Sequence, residues 1–469
     1  MKNTRWSALT LFATLALAGC SDDDMSPRDP SSDAHRYASE GSVDFHEPGT
    51  STLIEDTTSL LHPNKMRESG FELDWSAKLM QSKEIRSLFM LGDTVLLETK
   101  DHQLHAMDRH SGHYKWVIQL SNAIDFHPTL MESPISKDRF IYFMSKNQLY
   151  AIDVTRTPSG RELGVLSWKY LLPYTASTPP HANDYFVSVG CEEKNFILTM
   201  QTKETGKSSK RIKPKVVCWK RALGGRLTGT PASTGDKDDS TLMVATASGR
   251  INGLSFSTGT DIWQFPSTFS TGPVSADLLI HDNFVFAACE DHYLYCMERV
   301  SASLLGKIAL DSPLVRAPWV VGHLNIAKDS EGEAIINVDN DMDILVQSKG
   351  SPIHPYGNFY HIKVKDIVEK KREKFDASDR VHVTRRWELG INWTLEGLYS
   401  YLFRTRTHFM LLKDQELVMV ERNTGKVTRT IPLGNTELFI HHDVDSKTEN
   451  NRLFLANRDG SVYSLRLRD

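Results

Sequence analysis

Residues 93–120 read DTVLLETKDHQLHAMDRHSGHYKWVIQL: an apolar strand, a polar turn, a second alternating strand, an Asp-x-x-Ser-Gly turn, and a strand carrying tryptophan. Period-two alternation between Gly and Asp turn signals is the mark of half-buried antiparallel strands. The same order recurs at residues 138–170 with Trp168, at 184–223 with Trp219, and at 240–265 with Trp263. It returns at 282–310, more loosely at 333–390, and at 407–433, and a half-copy at 451–467 stops before its tryptophan strand. A spacing of roughly 45 residues is the period of a four-stranded propeller blade.

The missing strand lies at the other end of the body, where residues 71–79, FELDWSAKL, read like the tryptophan strand of a blade. The fold expected is therefore all-β: an eight-bladed β-propeller of four-stranded antiparallel blades, closed by pairing of the N- and C-terminal strands. Closure removes the open sheet edge that invites aggregation.

Each repeat residue has a physical job. Asp108 and Glu421 open turns that end in Gly112 and Gly425, and Ser257 and Thr258 lead into Gly259 in the same way. Such turns need a residue at positive φ, and the acid accepts backbone N–H bonds. Trp75, Trp116, Trp168, Trp219, Trp263 and Trp387 are assigned to one repeat position, which the fifth and seventh copies leave to Ile308 and Val427. Rings at one position of a propeller repeat pack between blades. They are structural residues, and no catalytic, cofactor-binding or metal-binding residue is assigned.

The string Leu104, His105, Ala106, Met107, Asp108, then Ser111, Gly112 and Trp116 resembles the quinoprotein-type (PQQ-like) repeat. That repeat is shared by pyrroloquinoline-quinone dehydrogenases and by the BamB family of outer-membrane assembly lipoproteins. The dehydrogenase branch implies a disulfide between adjacent cysteines and a calcium ion held by Glu and Asn. The cysteines here are Cys20, Cys191, Cys218, Cys289 and Cys296, none adjacent to another. No cofactor and no enzymatic activity are expected. The BamB branch implies a scaffold that binds an envelope protein, within the β-barrel assembly machinery; another periplasmic sensing or ligand-binding propeller is the alternative.

The N-terminus supports the second branch. Lys2 and Arg5 precede an apolar run too short to cross a bilayer as a helix, ending in Leu17, Ala18, Gly19 and Cys20. This resembles a lipobox, which implies a signal peptide over 1–19, acylation of Cys20, and a membrane anchor. Ser21, in place of aspartate, implies the outer membrane, periplasmic side. Residues 20–70, rich in Ser, Asp, Pro and Glu, are expected as a flexible tether to a propeller body over 71–469.

The remaining features carry less. A formal charge of −4 and the lack of a long basic run exclude nucleic acid as the expected partner, and a monomeric body is expected. Cys289 and Cys296 sit out of register on one hairpin, so free thiols are expected. Asp339 to Asp343 alternate acids as calcium loops do, but Ile344 and Gly350 stand where such a loop needs Gly and Glu; a solvated turn is expected. His102, His105, His110 and His113 read as surface loop residues. The enlarged sixth unit, 333–390, lengthens loops at 350–356 and 367–379, the second with a charged run compatible with a helix.

Overall fold

The computed structural model describes residues 43–46 and 60–468, apart from 80–83, 135, 193–195, 203–216, 236–238, 267–271, 323–325, 329–333, 337–340, 351–354, 376–377, 434–437 and 443–451. For 43–46, 326–328, 334–336, 365–387 and 438–442 it gives the backbone course alone. Cys20 and the leader lie outside the described residues.

Eight antiparallel four-stranded sheets follow one another along the chain. Blade 1 comprises Ile85–Leu91, Thr94–Thr99, Gln103–Asp108 and Tyr114–Gln119; blade 2, Thr129–Glu132, Arg139–Ser145, Gln148–Asp153 and Val165–Leu171. Blade 3 comprises His181–Ala182, Phe186–Cys191, Phe196–Gln201 and Val217–Ala222; blade 4, Leu227–Ser233, Thr241–Thr246, Ile251–Ser255 and Asp261–Phe265. Blade 5 takes Leu279–His281, Phe284–Ala288, Tyr293–Glu298 and Leu304–Ala309; blade 6, Trp319–Val321, Asp343–Gln347, Asn358–Phe375 and Ser378–Glu396. Blade 7 is Ser400–Arg404, His408–Lys413, Glu416–Glu421 and Val427–Pro432. Blade 8 joins Leu438–His442, Arg452–Asn457 and Ser461–Leu467 to Phe71–Leu79 from the far end of the chain. First strands of successive blades approach one another around the centre, and blade 8 meets blade 1.

Ring closure runs in register from Phe71 opposite Leu467 to Lys78 opposite Ser461. The body starts earlier than residue 71, so the expected tether over 20–70 is corrected at its C-terminal end. Leu60, Leu61 and Met66, around the short helix Pro63–Glu68, are buried with Phe71, Leu417, Ile431 and Leu465. Val43–His46 pairs with Phe71–Leu79 as a fifth strand. Apolar residues too sparse to suggest a core from composition suffice to cap a core supplied by the ring.

Every blade carries the same irregularity. In the outer strand one extra residue is inserted ahead of one fixed position, a β-bulge that re-aims the following side chain. Trp116 stands opposite Ala106 with Lys115 extra; Trp168, Trp219, Trp263 and Trp75 stand opposite Ala151, Thr199, Gly253 and Ser464 in the same arrangement. In blade 6 the position belongs to Trp393, opposite His361. Trp387 lies six residues earlier, opposite Asp366, so its assignment to the repeat is corrected. Blades 5 and 7 carry Gly306 and Arg429 there, where Ile308 and Val427 were expected. The bulge adds one residue to the count, and alternation alone does not reveal it.

The position explains the glycines. Trp75 Nε1 donates to Arg109 O at 2.9 Å, Trp219 Nε1 to Phe256 O at 2.8 Å and Trp393 Nε1 to Arg422 O at 2.8 Å, each in the turn of the next blade. A Cβ added to Gly112, Gly259 or Gly425 would stand 2.6–2.7 Å from that same ring, and all three have φ near 70°. The glycine in each motif thus serves the neighbouring blade's tryptophan as well as its own turn. Asp108 Oδ1 accepts His110 N at 3.0 Å and Ser111 N at 2.9 Å, which closes the first of these turns.

The exceptions obey the same rule. Gly306 precedes blade 6, whose third and fourth strands run on as a hairpin instead of closing in a turn; Arg429 precedes blade 8, where that connection is the ring closure. With no such turn for a ring to cover, no tryptophan stands at these two positions. Val364 and Leu389, at the root of the hairpin, pack beside Gly306 with Cys296 and Leu305 instead. Blade 5 has Ala302, at φ 55°, where its turn needs glycine, and Trp263 lies over Gly253 of its own blade. An L-residue in this region costs about 1–2 kcal/mol. Ala302→Gly is therefore expected to raise stability by about 1 kcal/mol, read as a shift of the denaturation midpoint at unchanged slope.

The hairpin of blade 6 replaces the expected loop and charged helix over 367–379, whereas the expected loop at 350–356 precedes it, with 351–354 outside the described residues. Pairing continues from Lys363 opposite Gly390 to Phe375 opposite Ser378, about 40 Å beyond the blade at the rise of a strand. Two consecutive runs with β-branched residues at alternate places pair across residues 376 and 377 here. Either run alone gives no pairing signal.

Candidate functional site

The channel mouth is built from the entries to the first strands. Pro128, Pro180, Pro231 and Pro318 recur there, at edges that face the channel. Proline cannot donate to a ladder, so it suits an unpaired edge and blocks further pairing. In blade 4 the register breaks between Thr228, opposite Ala245, and Ala232, opposite Met243, so residues 229–231 bulge opposite Val244 alone. Gly229, at φ 67°, passes so close to blade 5 that a Cβ would stand 2.6 Å from Ala276 O. Thr230 N then donates to Asp277 Oδ1 at 2.5 Å.

The result is an open cleft of about 780 Å³, lined by the first strands of blades 3 to 6 and their entries. Its floor is apolar, with Pro231, Ala276, Leu278, Ile280, Ala317 and Trp319. Its charged groups are Asp277 and Arg316, both exposed. Arg316 Nη1 makes a long bond of 3.5 Å to Ser400 Oγ, which leaves most of its donors turned to solvent. His181 lies in the wall, and burial pushes it down to about 4, so it is neutral at physiological pH. His127, just before the first strand of blade 2, is lowered by burial, against the Pro128 O bond of 2.7 Å and the charge of Asp277. A cleft with an apolar floor and two opposite charges can orient an extended chain or a small zwitterion.

None of Trp75, Trp116, Trp168, Trp219, Trp263, Asp108, Gly112, Gly259 and Gly425 lines this cleft; they lie between blades. The cleft residues were not assigned from the sequence, although the proline recurring at the repeat entries was legible. The quinone does not fit its donor set. Cys191, Cys289 and Cys296 are buried and are not among the residues that line the cleft; burial pushes the Cys296 thiol up to about 12. Cys218 is exposed. Among the described residues no three His, Cys, Asp or Glu side chains converge as a metal site would need.

Two expectations are corrected. Asp343 is fully buried among three cations, Lys363 Nζ at 2.5 Å, Arg422 Nε at 2.7 Å and Arg404 Nη1 at 2.9 Å, and is hydrogen-bonded to His361 Nε2 at 2.8 Å. Asp341 adds ion pairs to Arg404 and Arg422; Asp339 and Asn340 lie outside the described residues. The alternate acids thus tie blade 6 to blade 7, and the expected solvated turn holds a buried ion network. His105 is buried on the third strand of blade 1, beside Tyr114, because its alternation phase matches the core face. A second network joins blades 1 and 2, where Asp93 meets Arg139 at 2.6 Å and also pairs with Arg156.

These features define an eight-bladed β-propeller, closed by the strand Phe71–Leu79. No protein-family model and no curated protein sequence matches the chain. Among solved structures it is similar to BamB from Moraxella catarrhalis, over 84% of this chain and 99% of that one, with 13% identity and a TM-score of 0.52. It is similar to Sqt1 from Saccharomyces cerevisiae over 83% and 97%, with 9% identity and a TM-score of 0.51. Sqt1 from Chaetomium thermophilum, in a structure bound to the N-terminus of ribosomal protein L10, gives 82% and 97%, 9% identity and 0.51.

Proposed function

We propose that this chain is a non-catalytic, lipid-anchored scaffold that binds another envelope protein on the periplasmic side of the outer membrane, in a role like that of BamB in β-barrel assembly. The observation that carries it is the channel-mouth cleft: about 780 Å³, open, apolar-floored, with Asp277 and Arg316 at its rim. These groups recognise and orient: Asp277 accepts from Thr230 N, and Arg316 reaches Ser400 Oγ only at 3.5 Å. Similarity to BamB and to a propeller solved with a bound protein N-terminus supports the same reading.

The test uses intact envelopes. Wild type is expected to label with palmitate and partition into detergent, and Cys20→Ala to do neither. With a photo-reactive residue in place of Ala317, irradiation should yield one discrete adduct whose second component is an envelope protein. Arg316→Glu combined with Asp277→Lys should reduce that adduct at least fivefold. Palmitate on Cys20→Ala would overturn the anchor, and an adduct indifferent to the charge reversal would overturn the cleft.

A further inference from the structure

We propose that the outer edge of blade 2 receives an extended strand of a partner protein, one that carries an acidic residue between two apolar ones. This rests on the protein-binding reading and names a partner chemistry for a surface distinct from the channel mouth.

Eleven large apolar side chains are exposed among the described residues, and three fall within residues 163–171: Leu163 at 45%, Leu166 at 37% and Leu171 at 66%. No other blade's outer strand, taken with the turn before it, exposes more than two. In register, Leu166 stands opposite Ile152, Lys169 opposite Tyr150 and Leu171 opposite Gln148, with Ser167 as the bulge. These three therefore share one face, while Trp168 turns the other way into the core. Ile152 and Tyr150 on that face are buried with the residues of blade 1. Leu166, Lys169 and Leu171 thus continue a buried face outward as an exposed apolar, basic, apolar stripe.

The backbone there is equally open. Val165–Leu171 pairs with Gln148–Asp153 on one side, and no described strand pairs with its other side. The connection leading into it is held in place beforehand: Arg156 bridges Glu162, and Glu162, itself buried, also pairs with Arg139 and with Lys115 at 2.9 Å. A surface ordered in advance loses less entropy when it binds.

The ring itself shows what such an edge accepts. Phe71–Leu79, in the same place in blade 8, is covered by the antiparallel strand Val43–His46. Backbone pairing supplies affinity in strand addition, and alternate side chains supply choice. At blade 2 the central Lys169 asks for an acid, and the flanking leucines ask for apolar residues two places to either side. A second copy of the same edge would set lysine against lysine, which disfavours self-pairing.

Two labelled peptides test this on the full-length protein: Ac-TLTETLT-amide and its twin Ac-TLTKTLT-amide, followed by fluorescence anisotropy. The Glu peptide is expected to bind wild type at least tenfold more tightly than the Lys peptide. Leu166→Glu with Leu171→Glu should weaken it at least tenfold, Lys169→Glu should invert the preference, and Ile262→Glu on blade 4 should change nothing. Equal binding of the two peptides, no binding of either, or equal loss in Ile262→Glu would overturn the assignment. If neither peptide binds wild type while the Ala317 adduct forms, the edge assignment falls and the protein-binding reading stands.

Discussion

Deleting Phe71–Leu79 is expected to abolish cooperative unfolding, the largest effect of any change considered for this chain. The strand supplies Phe71, Trp75, Ala77 and Leu79 to two core clusters, and Trp75 reaches across to Arg109 O and the face of Gly112. Losing one buried tryptophan typically costs about 3–5 kcal/mol, against a whole-domain stability of about 5–15 kcal/mol. The deletion also exposes the whole outer side of Ser461–Leu467, an edge that then pairs with other molecules. Calorimetry should show a broad or absent transition, and sedimentation should show aggregates. Deleting residues 21–42 should leave the melting temperature unchanged. Equal melting of both deletions would mean that the first strand is not part of the ring.

Asp343→Asn is expected to cost about 3–5 kcal/mol, because Lys363, Arg404 and Arg422 then keep only Asp341 between them. The sign of its pH dependence follows from the site. Burial alone would raise the Asp343 carboxyl, but the hydrogen bond from His361 and the charges of Lys363 and Arg422 outweigh it and hold the group far below the usual carboxylate range. A depressed folded value means that the stabilisation is complete above the unfolded value of about 4 and is lost as pH falls below it. Asp93 behaves alike: its burial is outweighed by Arg139, Lys115 and Arg156, and it titrates at about 2. Wild type should lose stability steeply between about pH 4 and pH 2, and Asp343→Asn should show a shallower fall over that interval. Parallel denaturation curves at pH 7 and pH 3 for both proteins decide it; identical pH slopes would show that Asp343 is not held by its cations.

The repeat, and with it the number of blades and the closing strand, was legible because each blade restates one sentence of strands, turn and tryptophan. What escaped was whatever depends on pairing between distant residues. Gly306 and Arg429 were overlooked because neither carries the ring that marks this position in the other blades, and apolar residues two places away took its part in the reading. The long hairpin was divided into loops because its two strands announce themselves only when paired, as Asp366 and Trp387 show. His105 and Asp343 looked like solvated polar residues, yet alternation phase buries the first and three cations hold the second. The cleft went unassigned because its residues come from four blades and carry no catalytic spacing, although Pro231 and Pro318 stood at two of the entries that build it.

The central claim is that the ring binds a protein. Photo-crosslinking from position 317 in intact envelopes, with the adduct identified by mass spectrometry, tests it most directly. The expected result is one adduct with a component of the outer-membrane β-barrel assembly apparatus, at least fivefold weaker in the Arg316→Glu, Asp277→Lys protein. The contradicting result is no protein adduct together with stoichiometric, calcium-dependent binding of pyrroloquinoline quinone and dye-linked oxidation of an alcohol by the purified protein.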